Sequence, residues 1–286
     1  MLELLYRFQR MDRRWVFAGM ALSIIVPLLF PIKFDFKVNK EVQAIYDTIE
    51  GLAPGTTVLV SADFDPASVP ELGPFYTAHV HHLFRKNLKP VLVTLWPTSI
   101  PLIYPEMKAI AEKFGKVYGR DWAFLGYKEG KELVIKNIGQ NILQQFPKDY
   151  EDTPLGDLPI MQGMRQAKDF GVLVSISAGF PGLNEYVLQI QGQYNLRMVG
   201  ACTAVGGPDY IPFFKSKQLL GLSIGMPGSA QYEKLVWQGK PPEGVQLLAT
   251  SAMDVLNIGH LFIILLVVFG NIAYFVTRRV EDASDG

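Results

Sequence analysis

The sequence predicts an α/β fold: one doubly wound, mostly parallel Rossmann-like sheet of about six strands, flanked by N- and C-terminal transmembrane helices. Three observations carry this. Short apolar, β-rich runs recur through the middle of the chain. Helix-like segments separate them. Each end carries a long uncharged apolar stretch. Near-continuous apolar strands are buried on both faces, and strands alternating with helices pair in parallel, because each crossover returns the chain to the same end.

The strands are expected at "TVLVSA" (57–62), "PVLVTLW" (90–96), "WAFLGY" (122–127), "GVLVSISA" (171–178), "RMVGACTA" (197–204) and "LLGLSIG" (219–225). Helices are expected over 73–87, 102–115, 129–146, 157–169, 183–192 and 228–238. Before the first strand, "FDFKV" alternates like a short strand, and "NKEVQAIYDTIEGL" reads as a helix capped by Asn39. The polar stretch 146–159 is the longest interruption. It lacks a linker's composition, so the core region reads as one domain.

The apolar segment 15–32 is about as long as the shortest helix that crosses a bilayer, and 256–276 is a fuller span interrupted by His260 and Asn271. The first resembles a signal sequence in its preceding arginines, but no small-residue cleavage site follows it. Arg7, Arg10, Arg13 and Arg14 precede the first span, and Arg278 and Arg279 follow the second. Lys33, Lys37 and Lys40 lie between. Basic flanks stay in the cytoplasm, which predicts cytoplasmic termini and an extracytoplasmic main domain. The expected organisation is a tail (1–14), span (15–32), juxtamembrane strand and helix (33–56), Rossmann-like domain (57–238), stalk helix (239–255), span (256–276) and tail (277–286). A helix from about 244 to 279 would form a rod on the order of 50 Å long, with Val245, Leu248, Ala252 and Val255 along one stripe.

Of 286 residues, 49% are apolar and 19% charged, so a sizeable core is expected. The 27 basic and 27 acidic residues cancel, which argues against nucleic acid as the main partner. The one cysteine, Cys202, excludes an internal disulfide framework.

Ligands of open parallel sheets sit outside the carboxyl ends of the strands, so that rim is the first place to look. There the chain writes one pattern twice, Gly-x-Pro-Gly-x-x-x-Tyr, in "SISAGFPGLNEY" (175–186) and "LSIGMPGSAQY" (222–232). Gly179 and Gly225 are expected to turn the chain, Pro181 and Pro227 to start a helix, and Gly182 and Gly228 to expose backbone N–H groups. "TAVGGPD", with Gly206 and Gly207, is a looser third copy. The patterns read first as structural corners. The alternatives are a pocket for a neutral or weakly anionic ligand, and a subunit contact. "DFD" places Asp63 and Asp65 at the end of the first strand, where carboxylates serve as acid, base or cation ligands; Asp65 before Pro66 also suits a cap. Rim hydroxyls such as Ser177 and Thr203 complete the catalytic candidates. In "HVHH", His79 and His82 share a helix face and are candidate metal ligands, with packing the stronger reading. No cofactor is predicted.

Tails of roughly a dozen residues leave no room for a signalling or catalytic domain on the other side of the membrane. The expected function is a non-enzymatic scaffold or accessory subunit of a membrane complex. Its partners would be the lipid bilayer, further copies of itself or other membrane subunits, with a possible small molecule at the rim. Gly19 and Ser23, which allow close helix approach, and Leu248 and Asn271 are the expected contacts. The alternative is an extracytoplasmic hydrolase, transferase or small-ligand module using the rim.

Overall fold

The computed structural model describes residues 3, 6–7, 11–30, 32, 35–238, 240–241 and 243–284. The chain forms two compact units, one of Met1–Asp35 with Ser251–Gly286 and one of Phe36–Thr250.

The second unit is a six-stranded, all-parallel sheet in the order β3-β2-β1-β4-β5-β6. The strands are β1 (Thr57–Asp63), β2 (Lys89–Thr94), β3 (Ala123–Tyr127), β4 (Val172–Ser177), β5 (Met198–Cys202) and β6 (Gly221–Ile224). All six expected strands form, each within a few residues of its expected bounds. The chain winds outward from β1 to β3, returns to the centre at β4, and winds outward again to β6. Right-handed crossovers then put the two sets of helices on opposite faces.

One face is covered by α2 (Lys40–Glu50), α3 (Val69–Arg85), α4 (Ile100–Lys113) and α8 (Gly225–Trp237). Their core includes Ile45, Phe75, Val80, Met107 and Tyr232 against Val60, Leu92 and Val174. The other face carries α5 (Glu132–Gln145), α6 (Leu183–Tyr186, running on through a π-turn at Val187–Gln191 into Gly192–Tyr194) and α7 (Gly207–Lys215). Asn39 caps α2 as expected, accepting from Val42 N at 2.8 Å.

Several expectations are corrected. Residues 35–39 carry no strand: Phe36 O accepts from Lys234 Nζ at 2.7 Å and Asn39 N donates to Gln231 Oε1 at 2.9 Å, so side chains of α8 take the backbone groups a strand partner would use. Residue Phe34 of that expected strand lies outside the described residues. The expected helix 157–169 is a chain of short 3-10 turns, at Leu155–Asp157, Pro159–Met161 and Ala167–Asp169, because Pro154, Gly156, Pro159 and Gly163 interrupt any longer helix. Helix α7 was not expected; Pro208 in its first turn and Pro212 inside it hide a helical pattern. The stalk helix does not begin at 239. Gly244 has φ +78°, residues 245–247 are non-helical, and the helix α9 (Leu248–Ser284) starts only there, so Val245 leaves the expected stripe.

The first unit contains α1 (Arg13–Leu29) and most of α9 (Leu248–Ser284). Asp12 caps α1 through its bond from Arg14 N at 2.9 Å. The expected span 15–32 is helical only to Leu29, and Pro31 lies outside the described residues. Among the described residues, one helix, over Leu248–Arg278, is long and apolar enough to cross a membrane by length and composition. Gly19 packs under the Phe262 ring: a Cβ on Gly19 would lie 2.6 Å from Phe262 Cζ. The Ser23 hydroxyl bonds back to Met20 O at 2.7 Å, and Asn271 is exposed.

Candidate functional site

The winding of the strand order reverses between β1 and β4, and there an open parallel sheet has its crevice. Their register aligns Ser61 with Ser175 and Asp63 with Ser177. Residues two apart share a sheet face, so these four polar side chains form a block on the face covered by α6. All four are buried.

Asp63 is the centre of this block. Leu95 N donates to its Oδ1 at 2.5 Å, Thr94 Oγ1 donates to the same oxygen at 3.3 Å, and Ser61 Oγ donates to Oδ2. Burial pushes its carboxyl up to about 7; the three hydrogen bonds oppose that rise and the nearby Glu185 adds to it. A carboxyl at that value exchanges its proton near neutral pH. Tyr186, fully buried on α6, sits beside Asp63, and burial pushes its phenol well above the usual range. Its hydroxyl lacks a well-formed hydrogen bond, as does Ser175 Oγ.

The crevice is covered. Trp96 Nε1 donates to Pro181 O at 2.9 Å across it. Ser177 Oγ donates to Gly179 O at 2.9 Å, and the Glu185 carboxylate accepts from Gly182 N at 2.7 Å and from Asn184 Nδ2 at 3.0 Å. Asp65 is drawn away from Asp63: its Oδ1 caps the turn Pro66–Ser68, accepting from Ser68 N at 3.0 Å and Ser68 Oγ at 2.8 Å. The two carboxylates of "DFD" therefore do not converge. Thr203 is half-buried, and its carbonyl accepts from Gly207 N at 3.1 Å.

The repeated corners are related but not identical. The shared pattern extends to a strand-end serine, Ser177 in one copy and Ser223 in the other. In each, the second glycine lies against that serine: a Cβ on Gly182 would be 1.8 Å from Ser177 Oγ, and one on Gly228 would be 2.5 Å from Ser223 Oγ. Each ends in a fully buried tyrosine, Tyr186 on one face of the sheet and Tyr232 on the other. Only Gly225 turns the chain through a left-handed conformation, with φ +59°. Gly179 does not, and a Cβ there would meet only Trp96 at 3.6 Å. Pro227 lies in the first turn of α8, whereas Pro181 follows a cis peptide bond ahead of α6. The third copy uses its glycines for packing, Gly206 near Tyr210 and Gly207 against Ile224.

The sequence reading missed what Tyr232 does. His79 Nδ1 and His82 Nδ1 both face its hydroxyl, at 3.0 and 2.8 Å, and His82 Nε2 lies 3.0 Å from Glu50 Oε1. Burial raises the Glu50 carboxyl, but bonds from Lys86 and His82 outweigh it and hold it at about 2. Glu50 is therefore an anion, and His82 must donate to it from Nε2. The rest of the chain follows from the donor inventory. Tyr232 donates to His82 Nδ1 and accepts from His79 Nδ1–H, which leaves His79 Nε2 as a bare lone pair. That atom is buried without a partner. Burial holds His79 at about 3 and His82 at about 4, so the His82–Glu50 contact joins a neutral ring to a carboxylate. Among the described residues no three His, Cys, Asp or Glu side chains are grouped to hold a metal ion. Cys202 is buried, and burial pushes its thiol up to about 12, far from a nucleophile's range.

The signal for both tyrosines was the repeat itself, whose length from serine to tyrosine carries each ring one helical turn past a tight strand exit. Comparison with protein-family models, with curated proteins and with solved structures finds no match to this chain.

Proposed function

We propose that this chain is a membrane-anchored, non-enzymatic scaffold or accessory subunit that presents an extracytoplasmic Rossmann-like domain and associates with further copies of itself. The two apolar helices serve as its spans, with the arginine flanks on the cytoplasmic side. Their outward side chains support the membrane part of this reading: Trp15 is 71% exposed, Leu29 66%, Ile264 57% and Phe275 62%. Such surface requires lipid or other helices.

The observation that carries the subunit reading lies at the rim. Ser177, Glu185 and Glu71 bond neighbouring groups of the rim, while apolar side chains face out: Val205 is 90% exposed, and Phe180, with Lys131 Nζ 5.4 Å from its ring centroid, is 54% exposed. A contiguous exposed apolar patch marks a surface that meets other proteins. Glu71 illustrates the inward bonding, accepting from Ala204 N at 2.6 Å across two strand ends. Mass measurement on the detergent-solubilised protein, with micelle mass subtracted, tests the proposal. The expected result is a dimer or larger assembly that Val205→Asp and Phe180→Asp shift towards monomer. A monomer across a wide concentration range would overturn it.

A second reading, a small-ligand module at the β1/β4 crevice, is favoured by the unpartnered Ser175 and Tyr186 hydroxyls beside Asp63. Mass spectrometry of the supernatant after denaturing purified protein decides it: a stoichiometric small molecule, lost from Asp63→Asn, supports the module.

A further inference from the structure

A mainly apolar cavity with charged groups in its lining lies away from the sheet rim, and the scaffold reading does not use it. It occupies about 300 Å³ on the face covered by α3 and α4, and the segment that leads into α9 forms its outer wall. Its charged lining is Glu106 and Lys113 from α4, with Glu233 from α8; its apolar lining includes Ile110, Val245 and Leu248.

The three charges are not equivalent. Glu233 is already engaged: its Oε1 accepts from Ala249 N at 3.2 Å, and its Oε2 from Thr250 N at 2.9 Å and Thr250 Oγ1 at 2.8 Å. It closes the N-terminal turn of α9, where free N–H groups attract a carboxylate. Glu106 has one donor among the described residues, Thr77 Oγ1. Burial pushes its carboxyl up. Lys113 makes no ion pair among the described residues, and its charge adds to burial in holding His81 neutral.

His81 is the independent sign that something belongs here. It lines the cavity at 3% exposure, yet no group among the described residues bonds its ring, and Nδ1 is buried without a partner. Phe114 and Trp237 hold the imidazole edge-on, with centroids 5.5 and 5.8 Å away. A neutral imidazole fixed in this way offers one donor and one acceptor that the protein leaves unused.

We propose that this cavity binds a small zwitterion with an apolar body, of the α-amino-acid class. Its ammonium pairs with Glu106, its carboxylate with Lys113, its apolar body rests on Ile110, Val245 and Leu248, and His81 supplies a hydrogen bond. The acid and the base each answer one charge of the ligand: Glu106 is half-buried, and Lys113 is exposed. Because Val245 and Leu248 belong to the wall, occupancy also orders the start of α9.

Three ligands of one shape test this on the full-length protein in detergent. L-leucine carries both charges, 3-methylbutylamine only the ammonium, and 4-methylpentanoate only the carboxylate. Calorimetry is expected to show binding of L-leucine at least about tenfold tighter than of either analogue. Glu106→Gln should abolish the advantage over 4-methylpentanoate, and Lys113→Met the advantage over 3-methylbutylamine. Amide hydrogen exchange in residues 244–250 should slow with L-leucine. The wild-type series needs no variant to fold. Absence of binding by all three up to millimolar concentration, equal binding of all three, or binding of L-leucine that the Glu106→Gln, Lys113→Met double variant retains in full would overturn the proposal. None of these results depends on the oligomeric state, so failure here and failure of the scaffold reading are separable.

Discussion

Asp63 shows how one residue's surroundings set its chemistry. An Asp ending a strand in water ionises near 4; burial between β1 and β4 moves this one to about 7. A raised carboxyl favours the folded state below its unfolded value and loses that contribution as pH rises through the folded value. At pH 8 the ionised group therefore costs on the order of 4 kcal/mol relative to the unfolded chain. An asparagine keeps an oxygen for Leu95 N and offers an N–H to Ser61. Asp63→Asn is expected to raise stability at pH 8 by about 2–4 kcal/mol and to leave it nearly unchanged at pH 4, measured by chemical denaturation at both values. The corner glycines give a second expectation at this scale. Gly182→Ala forces a Cβ onto Ser177 Oγ and should cost about 1–3 kcal/mol. Ser177→Gly in the same chain should recover only part of it, because that Cβ would also lie 2.5 Å from the backbone oxygen of Gly179. Gly225→Ala should be costly through its φ of +59°, while Gly179→Ala should change the melting temperature little.

Helices α3 and α8 are joined by polar groups as well as by packing. Tyr232 on α8 bridges His79 and His82 on α3, and Arg85 Nη1 donates to Val236 O. The rings also pack, Phe75 on Tyr232 at 4.6 Å and Tyr46 on His82 at 4.8 Å. All three histidines of α3 are buried, with values lowered to about 3 for His79 and about 4 for His81 and His82. The unfolded chain takes up these protons from about 6.5 downward, while the folded chain resists until its own lower values. Stability from these residues is thus full above 6.5 and lost as pH falls towards 4 and 3. Each contributes a loss of about 2 kcal/mol by pH 5. Acidification from pH 7 to pH 5 should lower the melting temperature, and more steeply in Asp63→Asn, which lacks the opposing gain from Asp63. Tyr232→Phe should destabilise by about 1–3 kcal/mol at neutral pH, because it strips partners from two buried rings.

At the scale of the whole molecule, the order 3-2-1-4-5-6 places the block of polar side chains where the winding reverses. Six parallel strands were legible in the sequence because each is a short apolar run bracketed by Gly, Pro or Asp. Helix α7 was not, since Pro208 and Pro212 imitate loop punctuation. Orientation across the membrane rests on the arginine flanks and can be measured. The Lys148 side chain is 60% exposed, whereas the adjacent Asp149 is buried. Lys148→Cys in intact cells should react with an impermeant thiol reagent; reaction only after lysis would reverse the proposed topology.

By itself the sequence determined the α/β class, the parallel sheet, an apolar C-terminal helix and the turn at Gly225, because each depends on local periodicity or on a residue with special backbone freedom. Only the tertiary structure decided what the polar residues do. Asp63 and Tyr186, far apart in the chain, come together where the strand order reverses. The Nδ1 atoms of His79 and His82 face the Tyr232 hydroxyl. Glu106, Lys113 and His81 come to line one cavity with Val245 and Leu248. Hydrogen bonds and burial act over a few ångströms, so their partners are set by which elements pack together, and the spacing of residues along the chain does not record that.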